Sequence, residues 1–371
     1  MKYLKANNMA IKQAIFQVFT YHIENLGFYA DDREELISEL QSFMQLMPNN
    51  LVEPWRMYEI RQQKAIAIIH KILEKNDKAG LMPEIAQLAE VERQTQELQP
   101  TSRDHVVHAL NTFLLGEYIY KQFMDPVLSI YIEPFQWKIC GLLHDVGYPL
   151  QIGARSLINP FINTINSIKR GLGSKRPDIV LNMQIIGLTD LGNNKNSFQL
   201  LQSCINNWDL EIDVRYEYDQ MILSNNICHG ILSALTVLYL IDLMYEEYNP
   251  TRTGGYYPGP NGSSFDQYYF ENFVVEACAA IFIHNLPHRC FRERKISPIK
   301  APLAFLLKLS DTLQEWERPF KGNLWGIKAE NFEIVMENNN LVFRTEIESS
   351  RNSIMSDICN TLDSTGIRIE G

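Results

Sequence analysis

The sequence has no long apolar run. Its most hydrophobic stretch, Ile231 to Met244, is too short to span a bilayer and carries Asp242. The opening residues, MKYLKANNMAIK, lack the apolar core of a secretory signal. Basic charge is scarce as well: 34 Lys and Arg stand against 44 Asp and Glu, a net charge of −10. That balance argues against a protein that coats nucleic acid, whose affinity rests on neutralising phosphates. It leaves room for a local basic pocket around a small phosphorylated ligand. The six cysteines are scattered, and none forms a Cys-x-x-Cys pair, so neither a zinc ribbon nor a thioredoxin-type motif is indicated. Internal repeats and long low-complexity tracts are missing too. The expectation is a soluble, cytoplasmic protein that does not engage membranes.

What is present is helix. The chain has 371 residues, 46% of them hydrophobic, enough for a substantial core. Apolar residues at three- and four-residue spacing predict helices through most of residues 9–95. Those helices carry no evident chemistry. They are expected to pack, to form a lid, or to join copies of the chain into a homo-oligomer. Pro100 interrupts the chain, and a long helix is expected from Thr101 or Ser102, either of which suits an N-cap. PFQWKICGLLHDVGYPL reads as the next helix, stopped by Gly147 and Pro149. Residues 150–225 mix short helical pieces with Asn-rich connections and read as an insertion. The Gly-, Pro- and Ser-rich stretch NPTRTGGYYPGPNGSSF has the length of a functional or disordered loop. After Gly322 the pattern changes: FEIVMENNNLVFRTEI predicts two strands around an Asn-rich turn, followed by a helix. The expected organisation is an N-terminal helical region over 1–98, a helical domain over 99–321 with the insertion at 150–225, and a C-terminal β-hairpin and helix over 322–371. The chain ends at GIRIEG with no evident cap, which is compatible with a longer protein.

Six of the eight histidines lie between residues 105 and 288. His105, His108, His144, His229 and His284 occupy helix-compatible segments with large apolar neighbours, as does Asp311 in LLKLSDTL. A buried polar group without a partner costs free energy, and a buried charge costs more. Taken singly, His229 reads equally as a core histidine bonded to a carbonyl, and His288 as a loop residue. Five histidines and two aspartates on successive core helices ask for a shared explanation. A divalent metal at the centre of a helix bundle supplies one, because imidazole nitrogen and carboxylate oxygen are its usual ligands.

In order, RDHVVHALNTFLLG, GLLHDVGYP and LLKLSDTL carry a pattern that resembles the HD superfamily of metal-dependent phosphohydrolases. The resemblance spans roughly residues 100–320 and implies a mainly α, HD-type helical bundle with an N-terminal helical extension and a small C-terminal α+β segment. It implies metal ligands at His108, His144, Asp145 and Asp311, with His105 as the alternative first ligand or a contact to substrate. His229 and His284 fall where members with two metals carry further ligands, and Asp145 would then bridge the ions. Soft thiolates are not in the set, so one or two ions of Mn²⁺, Fe²⁺, Co²⁺, Mg²⁺ or Zn²⁺ are implied. The chemistry implied is hydrolysis at phosphorus by a metal-activated water, with Asp145 catalytic and His105 or His229 as general acid.

A phosphorylated substrate needs positive groups near the ion. Arg289 and Arg292 follow His284 directly, Lys308 lies one turn before Asp311, Arg155 follows the His-Asp pair and Arg103 precedes His105. Each of these also reads as an ordinary solvated side chain. The expected substrate is a small phosphate ester or anhydride, nucleotide-like. The alternatives are a phosphodiesterase or nuclease acting on a cyclic nucleotide or single strand, and a non-catalytic module that senses a nucleotide.

Overall fold

Asp104 starts the central helix, its carboxylate accepting the Val107 N–H at 3.0 Å, an N-cap that occupies one of the free donors of the first turn. Around it, the computed structural model describes residues 4–28, 30–46, 54–95, 104–153, 167, 190–191, 195–251, 255, 257–315, 332–345 and 347–370. The protein is mainly α with a small C-terminal sheet of three strands. Four helices precede the cap: α1 (Leu4–His22), α2 (Ala30–Gln45), α3 (Pro54–Glu74) and α4 (Met82–Thr95). Helix α5 (His105–Ile119) is buried along its whole length, as befits a sequence apolar on every side. Helices α1, α3 and α4 pack on it, and so do α6 (Pro134–Leu143) and, later in the chain, α12 (Pro302–Leu313).

The contact of α5 with α6 is unusually close. A Cβ on Gly116 would lie 1.9 Å from the Trp137 ring, so only glycine admits the indole there. The Trp137 Nε1–H donates to the Phe113 carbonyl at 3.1 Å, which fixes the ring across α5.

Helix α6 stops at Leu143, earlier than the sequence suggested. His144 to Gly147 form a turn, and α7 (Tyr148–Gly153) starts at once, with Pro149 in its first turn rather than ending a helix. Beyond it, Asp190–Leu191 and Lys195–Asn196 form a short antiparallel ladder, β1 with β2. Asn196 and Gln199 then make a capping box for α8 (Ser197–Asn207), and α9 (Val214–Ser224) follows. Helix α10 (His229–Tyr248) and helix α11 (Val275–Ile283) lie against each other, and α11 also packs on α6, α8 and α12.

Between α10 and α11, the glycine-rich stretch is tied down over 257–265. Asp77 accepts the Asn261 N–H at 2.8 Å and the Ser263 hydroxyl at 2.6 Å, while Pro258 bridges Ser264. Its length suggested a functional or disordered loop; Asp77, in the turn just after α3, organises this part of it.

The C-terminal strands β3 (Phe332–Glu337) and β4 (Asn340–Thr345) pair antiparallel through Asn338 and Asn339, both at positive φ, the conformation a two-residue hairpin turn demands. Helix α13 (Glu348–Thr361) follows. A third strand unforeseen in the sequence, β5 (Ile367–Glu370), then pairs parallel to β4. Asp357 on α13 accepts from Lys308 and Thr312 on α12, both at 2.7 Å, and faces His288 at 2.9 Å. The C-terminal segment thereby braces α12. No helix among the described residues is long and apolar enough to cross a membrane.

Candidate metal centre

Five segments deliver side chains to one point. His108 comes from the first turns of α5, His144 and Asp145 from the turn after α6, His229 from the start of α10 and His284 from the residue after α11. Asp311 arrives from the last turn of α12. The turn after α6 is held by Gly147, whose N–H donates to the Ser233 hydroxyl at 2.8 Å. A Cβ there would sit 2.6 Å from the Ser233 nitrogen and 2.7 Å from the His229 carbonyl oxygen. Gly147 therefore does more than end a helix: it lets the His-Asp turn lie directly on α10.

Each imidazole is anchored through Nδ1. His144 donates to the Gly141 carbonyl at 3.0 Å and His284 to the Ile281 carbonyl at 2.6 Å, both three residues back, where the ending helix leaves carbonyls without partners. His108 donates to Gln314 Oε1 at 2.5 Å and His229 to Gln151 Oε1 at 2.7 Å. With Nδ1–H committed, each Nε2 presents a lone pair. Those lone pairs converge. His108 Nε2 and His144 Nε2 are 3.4 Å apart, two acceptors face to face. Asp311 Oδ1 is 2.9 Å from His108 Nε2.

Asp145 stands in the middle. Its Oδ2 lies 3.7 Å from His108 Nε2 and 3.5 Å from His144 Nε2. Its Oδ1 lies 3.1 Å from His229 Nε2 and 3.9 Å from His284 Nε2. Burial works to raise this carboxyl, but the surrounding imidazoles, His144 and His229 first, hold it well below the ordinary carboxylate range. His284 is pulled down to about 3, chiefly by burial and then by His144 and His229. Its Nε2 is fully buried with no hydrogen-bond partner among the described residues.

Two groups here can hold a metal ion, His108–His144–Asp311 and His144–Asp145–His284, with ligand atoms within 4.8 Å of one another in each. A cation resolves what the polypeptide alone leaves costly: facing lone pairs, an orphaned nitrogen and a buried carboxylate. Asp311 is the more open member, its side chain 22% exposed against 0% for His144, so the cluster faces solvent on that side.

His105 is not a member of either group. Glu92 of α4 holds it, accepting from its backbone N–H at 2.8 Å and meeting its Nδ1 at 2.5 Å. Tyr148 stacks on the ring, centroids 3.5 Å apart, and meets His229 edge-on. Glu92, Gln151 and Gln314 all support the histidines, and nothing in the sequence singles them out. Glu92 in particular comes from the helices that carried no evident chemistry.

The basic residues are dispersed. Arg289 forms a two-pronged pair with Glu217, both contacts 2.6 Å. Lys308 is buried against Asp357, and Arg292 is exposed with no ion pair among the described residues. Arg103 and Arg155 lie outside the described residues. His288 is far enough out to pair with Asp357 rather than join the cluster. No protein-family model, no curated protein and no solved structure matches the chain.

Proposed function

We propose that the protein is a metal-dependent phosphohydrolase of HD type, acting on a small nucleotide-like phosphate ester or anhydride. The observation that carries this reading is the inward convergence of four anchored imidazoles on the two oxygens of one carboxylate. His108 and His144 face Asp145 Oδ2, His229 and His284 face Oδ1, and Asp311 meets His108 Nε2. The two ligand groups, which have His144 in common, favour two ions over one, and Asp145 would be shared between them. Bound divalent metal supplies acidification of water and withdrawal of charge from a phosphoryl oxygen.

The chain's own part is to fix that constellation and handle the proton. Gln314, Gln151 and the two helix-end carbonyls keep every Nε2 aimed inward. His105, oriented by Glu92 and Tyr148, is the group assigned to pass a proton to the leaving oxygen. Asp311 borders the more open side, where substrate is expected to enter. Arg292 is the readiest phosphate contact; Arg289 and Lys308 would first have to part from Glu217 and Asp357.

The purified protein should contain a first-row divalent metal and, with Mn²⁺, hydrolyse a member of a panel of nucleotides, cyclic nucleotides and short oligonucleotides. Asp145→Ala and Asp311→Ala should each lose both metal and activity. Full metal occupancy in either variant would sink the ligand assignment. Turnover confined to cyclic nucleotides or oligonucleotides would replace the reading with a phosphodiesterase. Metal binding without any turnover would point to a sensing module.

A further inference from the structure

At the other end of α5 from the histidines, a cavity of about 460 Å³ opens where the helix passes into a π-turn, Tyr120–Met124. Such turns within α-helices recur at functional sites because the extra residue re-aims the side chains around it. Three carboxylates line the cavity: Glu117, Asp125 and Glu133. Its aromatic wall is made by Tyr120, Tyr131 and Trp137.

Glu117 is the unusual member. The residue is only 6% exposed, yet its carboxylate makes no hydrogen bond or ion pair among the described residues. The other two acids are engaged. Asp125 accepts from Lys121 at 3.4 Å, and Glu133 accepts the Tyr131 hydroxyl at 2.7 Å. Burial pushes the Glu117 carboxyl up to about 7, with Lys121 and Lys138 only partly offsetting it. Lys138 is itself turned to the Asn76 side-chain oxygen at 2.6 Å. A buried carboxylate that lines a cavity without a partner is unfavourable unless something positive completes it.

We propose that this cavity binds an organic ammonium ion, with Glu117 as its principal anchor. A metal ion fits the lining less well. Among the described residues, groups of three or more His, Cys, Asp or Glu with ligand atoms within 4.8 Å of one another occur in the central cluster and not here. The three acids therefore surround the cavity without forming a shared coordination sphere. An amine with an apolar body can meet separated carboxylates and lie against tyrosine and tryptophan faces, which attract cations. The cavity already shows that preference: the Lys121 ammonium sits 4.6 Å from the centre of the Tyr120 ring. Its volume is that of a small-molecule site.

The test is calorimetric titration of the full chain at pH 8 with 1,4-diaminobutane and with spermidine, using magnesium chloride as the inorganic control. Saturable binding of an amine should weaken at least tenfold in Glu117→Gln, which keeps the shape of the side chain and removes its charge. Glu348→Gln, an exposed change elsewhere, should leave it intact. Equal weakening in both variants would mean diffuse attraction to an acidic protein and would overturn the site. So would the lack of any amine binding, or magnesium binding that Glu117→Gln abolishes. Thermal unfolding of Glu117→Gln close to that of the parent excludes misfolding as the cause of a loss.

Discussion

Lys78 is 1% exposed, with its ammonium 4.2 Å from the centre of the Phe265 ring and 5.4 and 5.7 Å from those of Phe135 and Tyr245. It donates a hydrogen bond to the Asn76 carbonyl at 3.0 Å. Burial lowers its pKa from 10.5 to about 7, against the pull of Asp77. The sign follows directly. Between pH 7 and 10.5 the unfolded chain holds a proton on this lysine that the folded chain has largely lost. Stability from this group therefore rises with pH across that window, on the order of 1.4 kcal/mol per unit, and is level below it. Lys78→Met should be more resistant to urea than the parent at pH 7, and its advantage should shrink toward pH 10. A constant gap between the two urea midpoints over that range would refute the assignment. The candidate ligands of the central cluster contrast with Lys78, because their polar atoms converge on one another rather than on aromatic faces.

Among the elements, the turn from His144 to Gly147 decides whether the centre can form. Gly147→Ala would push a methyl group into α10 backbone atoms, which cannot yield as a flexible side chain would. A loss of about 1–3 kcal/mol in stability is expected from such overpacking. Metal affinity should drop with it, because Asp145 rides on the displaced turn; denaturant titration and metal titration of the variant check the two parts. The sequence patterns of α5, α6, α10, α11 and α12 were legible because their apolar runs are long and strongly helical. Burial made the wider set of five histidines and two aspartates conspicuous, and the choice of His108, His144, Asp145 and Asp311 from it rested on the resemblance. Glu92, Gln151 and Gln314 were not conspicuous, since a glutamate or glutamine on or just after a helix is ordinary until tertiary packing places a histidine beside it. Strand β5 escaped for a related reason: four residues, IRIE, carry too little alternation to distinguish a strand from a chain end, and its pairing to β4 is non-local.

At the scale of the whole molecule, the centre draws on distant parts of the chain. Glu92 precedes the central helix, while α13, near the C-terminus, braces the helix that carries Asp311 through Asp357. The facing His108 and His144 nitrogens and the unpartnered His284 Nε2 favour a cation, so binding an ion should stabilise the fold as a unit. Free Mn²⁺ at a hundred times its dissociation constant should add about 2.7 kcal/mol to the unfolding free energy. The rise in melting temperature should reverse with a chelator and be missing from Asp311→Ala. An unfolding temperature indifferent to every divalent ion would argue that the cluster is only a polar knot. One detail of the cluster extends the point. His144 and His284 each immediately follow a helix and donate Nδ1–H to a terminal carbonyl of that helix. A cation drawing electron density from Nε2 makes each Nδ1–H a stronger donor. The ion would thus serve as a shared C-terminal cap for α6 and α11, fastening two helix ends that it never touches.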